Sequence, residues 1–311
     1  YEAALYQACL GYELFLEAHI HASVFPPATR VLARGPRWRW EWYKATLGQL
    51  VSARTRKCYP ISTDAADIAT RFFGMPPGKV QIEPLGTDTA LFRPPQGPTE
   101  QRVRHELRAR LGFSTADIVC IYTGRITRDK GPTVLAEAIA RLVAAGDPFR
   151  GLFVGQGPAE LTHSIARCPG CVLHPFVPVD YLPPLYQAAD VAVWPKQEST
   201  SQLDAAACGL PLILSDCVQV RERIEGNGLT YRDGDGANLA AQLGRLKDAE
   251  IRRRMGAVGR KRMVEHFDWR LLAARRLTDY AAALAQRAPS AKAPKVRMRI
   301  AALSSSERCL T

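Results

Sequence analysis

From residue 117 onward, short apolar runs alternate with stretches of helical periodicity, and this alternation limits the possible folds more than any other feature. The apolar runs "DIVCIYTG" (117–124), "GLFVGQG" (151–157), "CVLHPFV" (171–177), "VAVWP" (191–195), "LPLILSD" (210–216) and "GLTYRDGD" (228–235) are typical of strands. Helical stretches are predicted between them and at 236–247, 249–266 and 268–287. The pattern predicts an α/β fold with a parallel, doubly wound sheet, in which ligands bind beyond the carboxyl ends of the strands.

Residues 1–113 contain the second half of a similar pattern without its opening strands. Strands are predicted at 13–20, 57–62 and 78–86, and helices at 38–56 and 64–74. The chain starts at Tyr1 inside a predicted helix, so we expect an N-terminally truncated chain. The predicted organisation is a partial domain at 1–100, a second domain at 101–287 and a basic, disordered tail at 288–311. The Pro-rich stretch 92–101 is the predicted linker.

The formal net charge is +12, and the stretch after residue 286 adds six basic residues against one acid. Such a surplus suits nucleic acid, an anionic membrane surface or a phosphorylated substrate. No nucleic-acid motif is present, so we expect no nucleic-acid partner, and a membrane surface stays open. No run approaches the ~18 apolar residues of a membrane span. We expect a cytoplasmic protein, with a peripheral place at the inner membrane face as an open alternative.

The eight cysteines are scattered, which suits reduced thiols in a cytosol. Cys168 and Cys171 form "CPGC", with His163 and His174 near them in the sequence. A zinc site needs four ligands and no second cysteine pair exists, so we expect no metal, although zinc stays open as an alternative.

The stretch "TGRITRDKGP" (123–132) places Arg125 and Lys130 between a strand and a helix that Pro132 opens. Cations at a helix N-terminus oppose its dipole unless an anion is bound there. We therefore favour a phosphate or diphosphate ligand over two cations in a surface loop. Arg128 is a less certain third cation that can simply face water. The stretch is not a P-loop, because it lacks the G-x4-G-K-[ST] spacing.

Two further loops could contact a ligand. In "VGQGP" (154–158), Gly155 and Gly157 allow close approach to the backbone, although an ordinary tight turn explains them equally well. The loop after "VAVWP" carries Glu198 and Asp204. Asp204, near a helix start, can accept hydrogen bonds from hydroxyl groups, and its structural alternative is an N-cap.

The order of these motifs is strand-"GR"-x4-"KG"-helix, then "GxGP", then "AAD"-"VAVWP", then acid-helix-"CGLP"-strand. It resembles the nucleotide-sugar-binding domain of the group 1 (family 4) glycosyltransferases, a retaining family of GT-B fold. The resemblance covers roughly residues 58–286. "ISTDAADIATRFFGMPPGKVQIEPLGTDTALFRP" resembles the family's inter-domain segment, and "FDWRLLAARRLTDY" resembles its closing helix. The resemblance implies two Rossmann-like domains, the first of them incomplete here.

The resemblance also implies roles for residues. Arg125 and Lys130 would bind the donor diphosphate, and Asp204 the ribose hydroxyls. The family's first Glu, which contacts the donor sugar, stands eight residues before its second acid, and that place is Lys196 here; Glu198 is the substitute. The remaining candidates are His19 (alternate His21) facing the sugar, Phe176 and Val177 framing the base, and Gly124, Gly155 and Gly157 lining the donor. For the two histidines, a metal pair and a structural role stay open.

The implied function is transfer of a sugar from a nucleotide diphosphate sugar to an acceptor hydroxyl, with retention of configuration and without a cofactor or metal. The acceptor would be a saccharide, a lipid-linked molecule or a small molecule, as in polysaccharide or glycolipid biosynthesis. Two alternatives stay open: a nucleotide-sugar epimerase on the same fold, and a nucleotide-sugar-binding module without activity.

Overall fold

The computed structural model describes residues 2–19, 42, 44–71, 73–196, 198–218 and 224–286. The larger unit is a six-stranded parallel sheet of apolar strands that are mostly buried on both faces. Its strands are β3 (Ile118–Thr123), β4 (Phe149–Val154), β5 (Cys171–His174), β6 (Val191–Trp194), β7 (Leu212–Ser215) and β8 (Gly228–Tyr231). Every one of the six strands predicted from residue 117 onward is confirmed, and so is the α/β fold class.

The strand order is β5-β4-β3-β6-β7-β8. The chain therefore builds the sheet outward from β3 in one direction and then, starting with β6, in the other. Neighbouring strands pair in parallel, for example Cys120 with Val191 between β3 and β6. This reversal of direction creates a topological switch point between β3 and β6, where open α/β sheets form a crevice at their carboxyl edge.

Helices connect the strands and cover the sheet. In the larger unit they are α4 (Gly97–Arg110), α5 (Pro132–Ala144), α6 (Ala159–Ala166), α7 (Leu182–Ala188), α8 (Ser201–Ala207), α9 (Gly236–Arg245), α10 (Ala249–His266) and α11 (Trp269–Ala285); α1 (Glu2–Leu10), α2 (Gln49–Arg54) and α3 (Thr63–Arg71) precede them. Helix α5 begins at Pro132 as predicted, and Gly146, with φ +80°, follows its last turn. Asp268 caps α11 by accepting from the Arg270 N–H.

The smaller unit is a two-stranded parallel sheet of β1 (Leu14–Ala18) and β2 (Thr55–Pro60). The prediction of a strand at 78–86 is wrong. Pro77–Lys79 form a 3₁₀ turn, and the stretch after it touches β2 only through an isolated bridge, Cys58 with Val80, and two backbone hydrogen bonds. The helix predicted at 38–56 ends two residues earlier, at Arg54, and consists of a π-helical turn at Lys44–Gly48 followed by α2; residues 38–41 lie outside the described residues.

Helix α4 was not predicted, and it takes up the second half of the predicted linker 92–101. Its sequence is mostly polar, and Arg108 is its buried residue. Arg104 and Arg108 both pair with the Asp190 carboxylate, which also accepts the Val119 N–H. This ion-pair group fixes α4 at the edge of the sheet opposite the switch-point crevice, because Asp190 directly precedes β6.

Helix α11 runs back onto the smaller unit. The Asp279 carboxylate accepts hydrogen bonds from Lys57 and Tyr59 at 2.7 and 2.8 Å, and Phe15 packs edge-on against Tyr280 at 4.6 Å between ring centroids. The last helix of the described residues therefore contacts both strands of the two-stranded sheet. The helix predicted around 218–226 and the basic tail lie mainly outside the described residues. No helix in the described part of the chain is long and apolar enough to cross a membrane.

Candidate functional site

The loops after β3 and β6 flank the switch point and carry four of the predicted site residues, Gly124, Arg125, Lys130 and Glu198. Two contacts between the strand ends fix their positions. The Trp194 indole N–H donates to the Thr123 carbonyl at 3.0 Å, and the Thr123 hydroxyl lies 2.7 Å from the Tyr186 hydroxyl. The loops are therefore anchored on rigid strands, which suits a binding site at this edge.

The loop after β3 carries Arg125, exposed, and Lys130, partly buried. Gly131 lies before α5 with φ +62°, and no side chain caps that helix N-terminus. The Tyr122 hydroxyl donates to the Arg125 carbonyl at 2.7 Å, which fixes the start of the loop. The prediction that both cations lie at a strand end just before a helix is confirmed.

Burial lowers the pKa of Lys130; Asp129 opposes this shift and Arg125 adds to it. The pKa of Asp129 is itself lowered, first by the Thr127 hydroxyl. Arg128 forms an exposed ion pair with Glu160, so it does not act as a free third cation. The loop thus keeps a positive charge excess at a helix N-terminus that has no capping side chain, which favours an anionic ligand.

Gly155 and Gly157 are required by the neighbouring loop. A Cβ on Gly155 would lie 1.9 Å from the Gly124 carbonyl oxygen, and one on Gly157 would lie 1.9 Å from the Ile126 carbonyl oxygen. The loops after β3 and β4 therefore touch backbone to backbone. We predicted that these glycines let a ligand approach the backbone or form an ordinary tight turn; in the structure they admit the backbone of the neighbouring loop.

Asp204 lies inside α8, which begins at Ser201, and it is not the N-cap. Its carboxylate accepts a hydrogen bond from the Thr87 hydroxyl at 2.6 Å. Burial raises the pKa of Asp204 to about 6, and the Thr87 hydrogen bond opposes that shift. Thr87 was not predicted as a site residue, since no local pattern shows that it meets a residue 117 positions later.

Helix α8 is held from behind by α10. A Cβ on Gly256 would lie 1.9 Å from the Gly209 carbonyl oxygen, so the two segments are in backbone contact. Arg260 donates to the carbonyls of Ala207, Thr89 and Phe92. These contacts join the end of α8 to the segment that carries Thr87, so the Asp204–Thr87 pair is held in place from both sides.

The loop between β6 and α8 starts at Pro195, whose carbonyl accepts from the Tyr231 hydroxyl. Lys196 follows, and its stem covers Gly131: a Cβ there would lie 3.1 to 3.5 Å from the Lys196 side-chain carbons. Glu198 is partly buried two residues later, in the same loop. The loop thus brings a lysine to the N-terminus of α5, on the far side of the switch point from β6.

The other predicted residues occupy separate places. Phe176 and Val177 follow β5, with Phe176 63% exposed and able to stack against a ligand. His19, directly after β1, contacts Glu17 at 2.9 Å and lines a cavity of about 220 Å³ with Cys58 and Met75. Among the described residues no contact joins His19 to the crevice of the larger sheet. His21 lies outside the described residues.

The thiols and histidines form no metal site in the part of the chain that the structure describes, where no group of three or more His, Cys, Asp or Glu could hold an ion. Cys168 and Cys171 are free thiols. Burial raises the pKa of Cys171 to about 12. A larger cavity, about 390 Å³, lies beside Thr55 at the start of β2, away from the switch point.

Comparison with known proteins identifies the larger unit. Residues 117–248 match the family model "Glycosyl transferases group 1". D-inositol 3-phosphate glycosyltransferase from Xylanimonas cellulosilytica is 30% identical over 77% of this chain and 60% of its own length. MMP alpha-(1->4)-mannosyltransferase from Mycolicibacterium hassiacum is 28% identical over 89% of this chain and 70% of its own. The chain thus spans only part of these relatives.

Solved structures show the same fold. HepE from Anabaena, solved in complex with UDP, superposes with a TM-score of 0.71 at 18% identity, covering 90% of this chain and 75% of that one. Sucrose-phosphate synthase from Thermosynechococcus elongatus gives a TM-score of 0.66 at 22% identity, covering 91% and 71%. Residues 117–248 are therefore similar to the glycosyl transferases group 1 family, within a chain whose fold is of the Rossmann-like GT-B type.

Proposed function

We propose that the protein is a retaining glycosyltransferase that moves a sugar from a nucleotide diphosphate sugar to an acceptor hydroxyl. One observation carries the proposal: cations and a carboxylate flank the same switch point. Arg125 and Lys130 follow β3, and Asp204 follows β6, the strand paired with β3. A nucleotide diphosphate sugar offers a diphosphate for the cations and ribose hydroxyls for the carboxylate. The UDP complex of HepE supports this choice of ligand.

In the proposed reaction, the bond between the anomeric carbon and the phosphate oxygen breaks while the acceptor oxygen attacks from the same face. The acceptor proton passes to an oxygen of the leaving nucleoside diphosphate. Arg125 and Lys130 stabilise the negative charge that develops on the leaving group, a task that otherwise falls to a metal. This mechanism needs no covalent nucleophile and no cofactor.

Other residues have proposed positioning roles. Asp204 accepts hydrogen bonds from the ribose, and Phe176 with Val177 borders the base. Glu198 reaches the donor sugar from the loop after β6, and His19 faces the sugar from the smaller unit. We place the reaction in the cytoplasm, with a saccharide, lipid-linked or small-molecule acceptor.

A donor panel tests the proposal. UDP-, GDP- and ADP-glucose are titrated calorimetrically into the chain and into its Arg125→Ala and Lys130→Ala variants, with Lys247→Ala as the control at the opposite edge of the sheet. We expect one donor to bind, with a loss of roughly tenfold or more in each site variant. Binding of none of the three would overturn the proposal.

Product analysis separates the remaining alternatives. Transfer with an unchanged anomeric configuration supports the retaining enzyme, and an inverted product contradicts it. Release of an epimerised donor without an acceptor would indicate the epimerase. Binding without turnover in the presence of a range of acceptors would indicate a nucleotide-sugar-binding module.

A further inference from the structure

Lys196 and Lys130 approach each other from opposite sides of the switch point. Lys130 directly precedes Gly131, and the Lys196 stem from Cγ to Cε lies on Gly131. The backbone just before Lys196 is anchored, because the Tyr231 hydroxyl donates to the Pro195 carbonyl. The packing of its side-chain carbons on Gly131 therefore brings Lys196 to the N-terminus of α5.

The charges around this point do not balance within the described residues. No ion pair among the described residues involves Arg125, Lys130 or Lys196, and the charge of Asp129 acts on both Lys130 and Arg125. Glu198 stands two residues after Lys196 in the same loop. The other basic side chain of the loop, Arg128, is already paired with Glu160. Three cations against two acids leave an excess of positive charge near the N-terminus of α5, and this excess costs free energy unless an anion joins it.

We propose that Lys196 is a third anion-binding residue of the donor site. It binds anionic oxygens of the donor together with Arg125 and Lys130. Two sources offer such oxygens: the diphosphate itself, and a carboxylate on the transferred sugar, as in a uronic acid donor. Because Lys196 packs on Gly131, which directly follows Lys130, we favour the diphosphate as the source. This inference rests on the proposed function and assigns Lys196 a role in donor specificity.

The test compares Lys196→Gln with Lys247→Gln, which removes the same charge at the opposite edge of the sheet, where Lys247 pairs with Asp147. Lys196→Arg restores the charge, and melting curves check that each variant folds. The probes for calorimetric titration are inorganic diphosphate and the glucose and glucuronate esters of the nucleoside diphosphate selected by the donor panel.

If the diphosphate is the source, Lys196→Gln weakens binding of all three probes roughly tenfold, whereas Lys196→Arg stays within about threefold. If a sugar carboxylate is the source, the glucuronate ester alone loses affinity. Affinities equal to those of Lys247→Gln for every probe, while Arg125→Ala still loses binding, would overturn the role of Lys196 and leave the donor site intact. Absence of binding in the unaltered chain would overturn the donor site itself.

Discussion

The Thr87 hydroxyl donates a hydrogen bond of 2.6 Å to the Asp204 carboxylate, joining residues 117 positions apart. Thr87 lies between the two sheets, where its backbone N–H donates to the Phe267 carbonyl and its carbonyl accepts from Trp269. The carboxylate proposed to hold the ribose is thus oriented by the connecting segment and by the α10–α11 junction. The geometry of the Asp204 carboxylate therefore depends on how α8, the connecting segment and the α10–α11 junction pack.

Removing this hydrogen bond should weaken donor binding. In Thr87→Val the Asp204 carboxylate loses its fixed orientation, and we expect affinity to fall roughly fivefold, equivalent to about 1 kcal/mol. Thr278→Val, on the exposed side of α11, serves as the control. Calorimetric titration measures the change, and equal affinities for the two variants would show that Thr87 does not orient the carboxylate.

Asp204 should give donor binding a pH dependence. Burial raises its pKa from 3.8 to about 6, while Tyr186 and Cys208 beside it stay neutral in this range because their pKa values are raised. Affinity for a nucleotide sugar should fall as the pH drops through about 6, because a neutral carboxyl group is a poorer acceptor. Asp204→Asn should bind weakly and show no such step. A step of the same size in that variant would assign the titration to another group.

The same shift predicts an effect on stability with a defined sign. The folded state binds the Asp204 proton more tightly than the unfolded chain, so the cost of the buried charge is fully present above pH 6. That cost is relieved as the pH falls from about 6 towards 3.8. The melting temperature of the unaltered chain, relative to that of Asp204→Asn, should therefore rise as the pH falls across this window. A constant difference between the two melting curves would contradict the raised pKa.

The backbone contact between the β3 and β4 loops predicts a steric effect. In Gly157→Ala the new methyl group would lie 1.9 Å from the Ile126 carbonyl oxygen, and we expect a loss of about 1 to 3 kcal/mol in unfolding free energy. Gly244→Ala, in the exposed part of α9 with nothing within 4 Å, should instead stabilise by about 0.5 to 1 kcal/mol. Denaturant titration compares the two, and equal effects would rule out the close contact.

The ion pair between Lys57 in β2 and Asp279 in α11 predicts how firmly that helix is attached to the smaller unit. Lys57 and then Tyr59 donate hydrogen bonds that lower the pKa of Asp279 although burial acts against them. Asp279→Asn should lower the melting temperature and speed proteolysis of α11. Asp67→Asn, which removes an exposed pair with Arg71 in α3, should change neither. Equal protease sensitivity in both variants would show that the contact does not hold the helix.

The larger sheet could be predicted because buried parallel strands are nearly continuous apolar runs. The stretch 78–86 misled because its apolar residues pack beside β2 without forming a ladder of hydrogen bonds. Helix α4 was missed because its sequence is mostly polar and its buried residue is Arg108, which pairs with Asp190, so its apolar signal is weak.

For the site, local patterns located Arg125 and Lys130, since cations just before a helix depend on sequence neighbours alone. They could not show that Thr87 meets Asp204 or that Lys196 lies on Gly131. Both contacts form only when distant segments pack, so no spacing in the sequence encodes them. Gly155 and Gly157 are a third case: the approach of a ligand to their backbone stays a prediction, and the contact that requires glycine comes from another loop of the same protein.

The most direct test of the central claim is a crystal structure of the chain with the best-binding nucleotide sugar from the donor panel. We predict diphosphate density at the switch point between β3 and β6, within hydrogen-bond distance of Arg125 and Lys130, and ribose hydroxyls at Asp204. Density for the donor away from this crevice, with these three side chains uninvolved, would contradict the account.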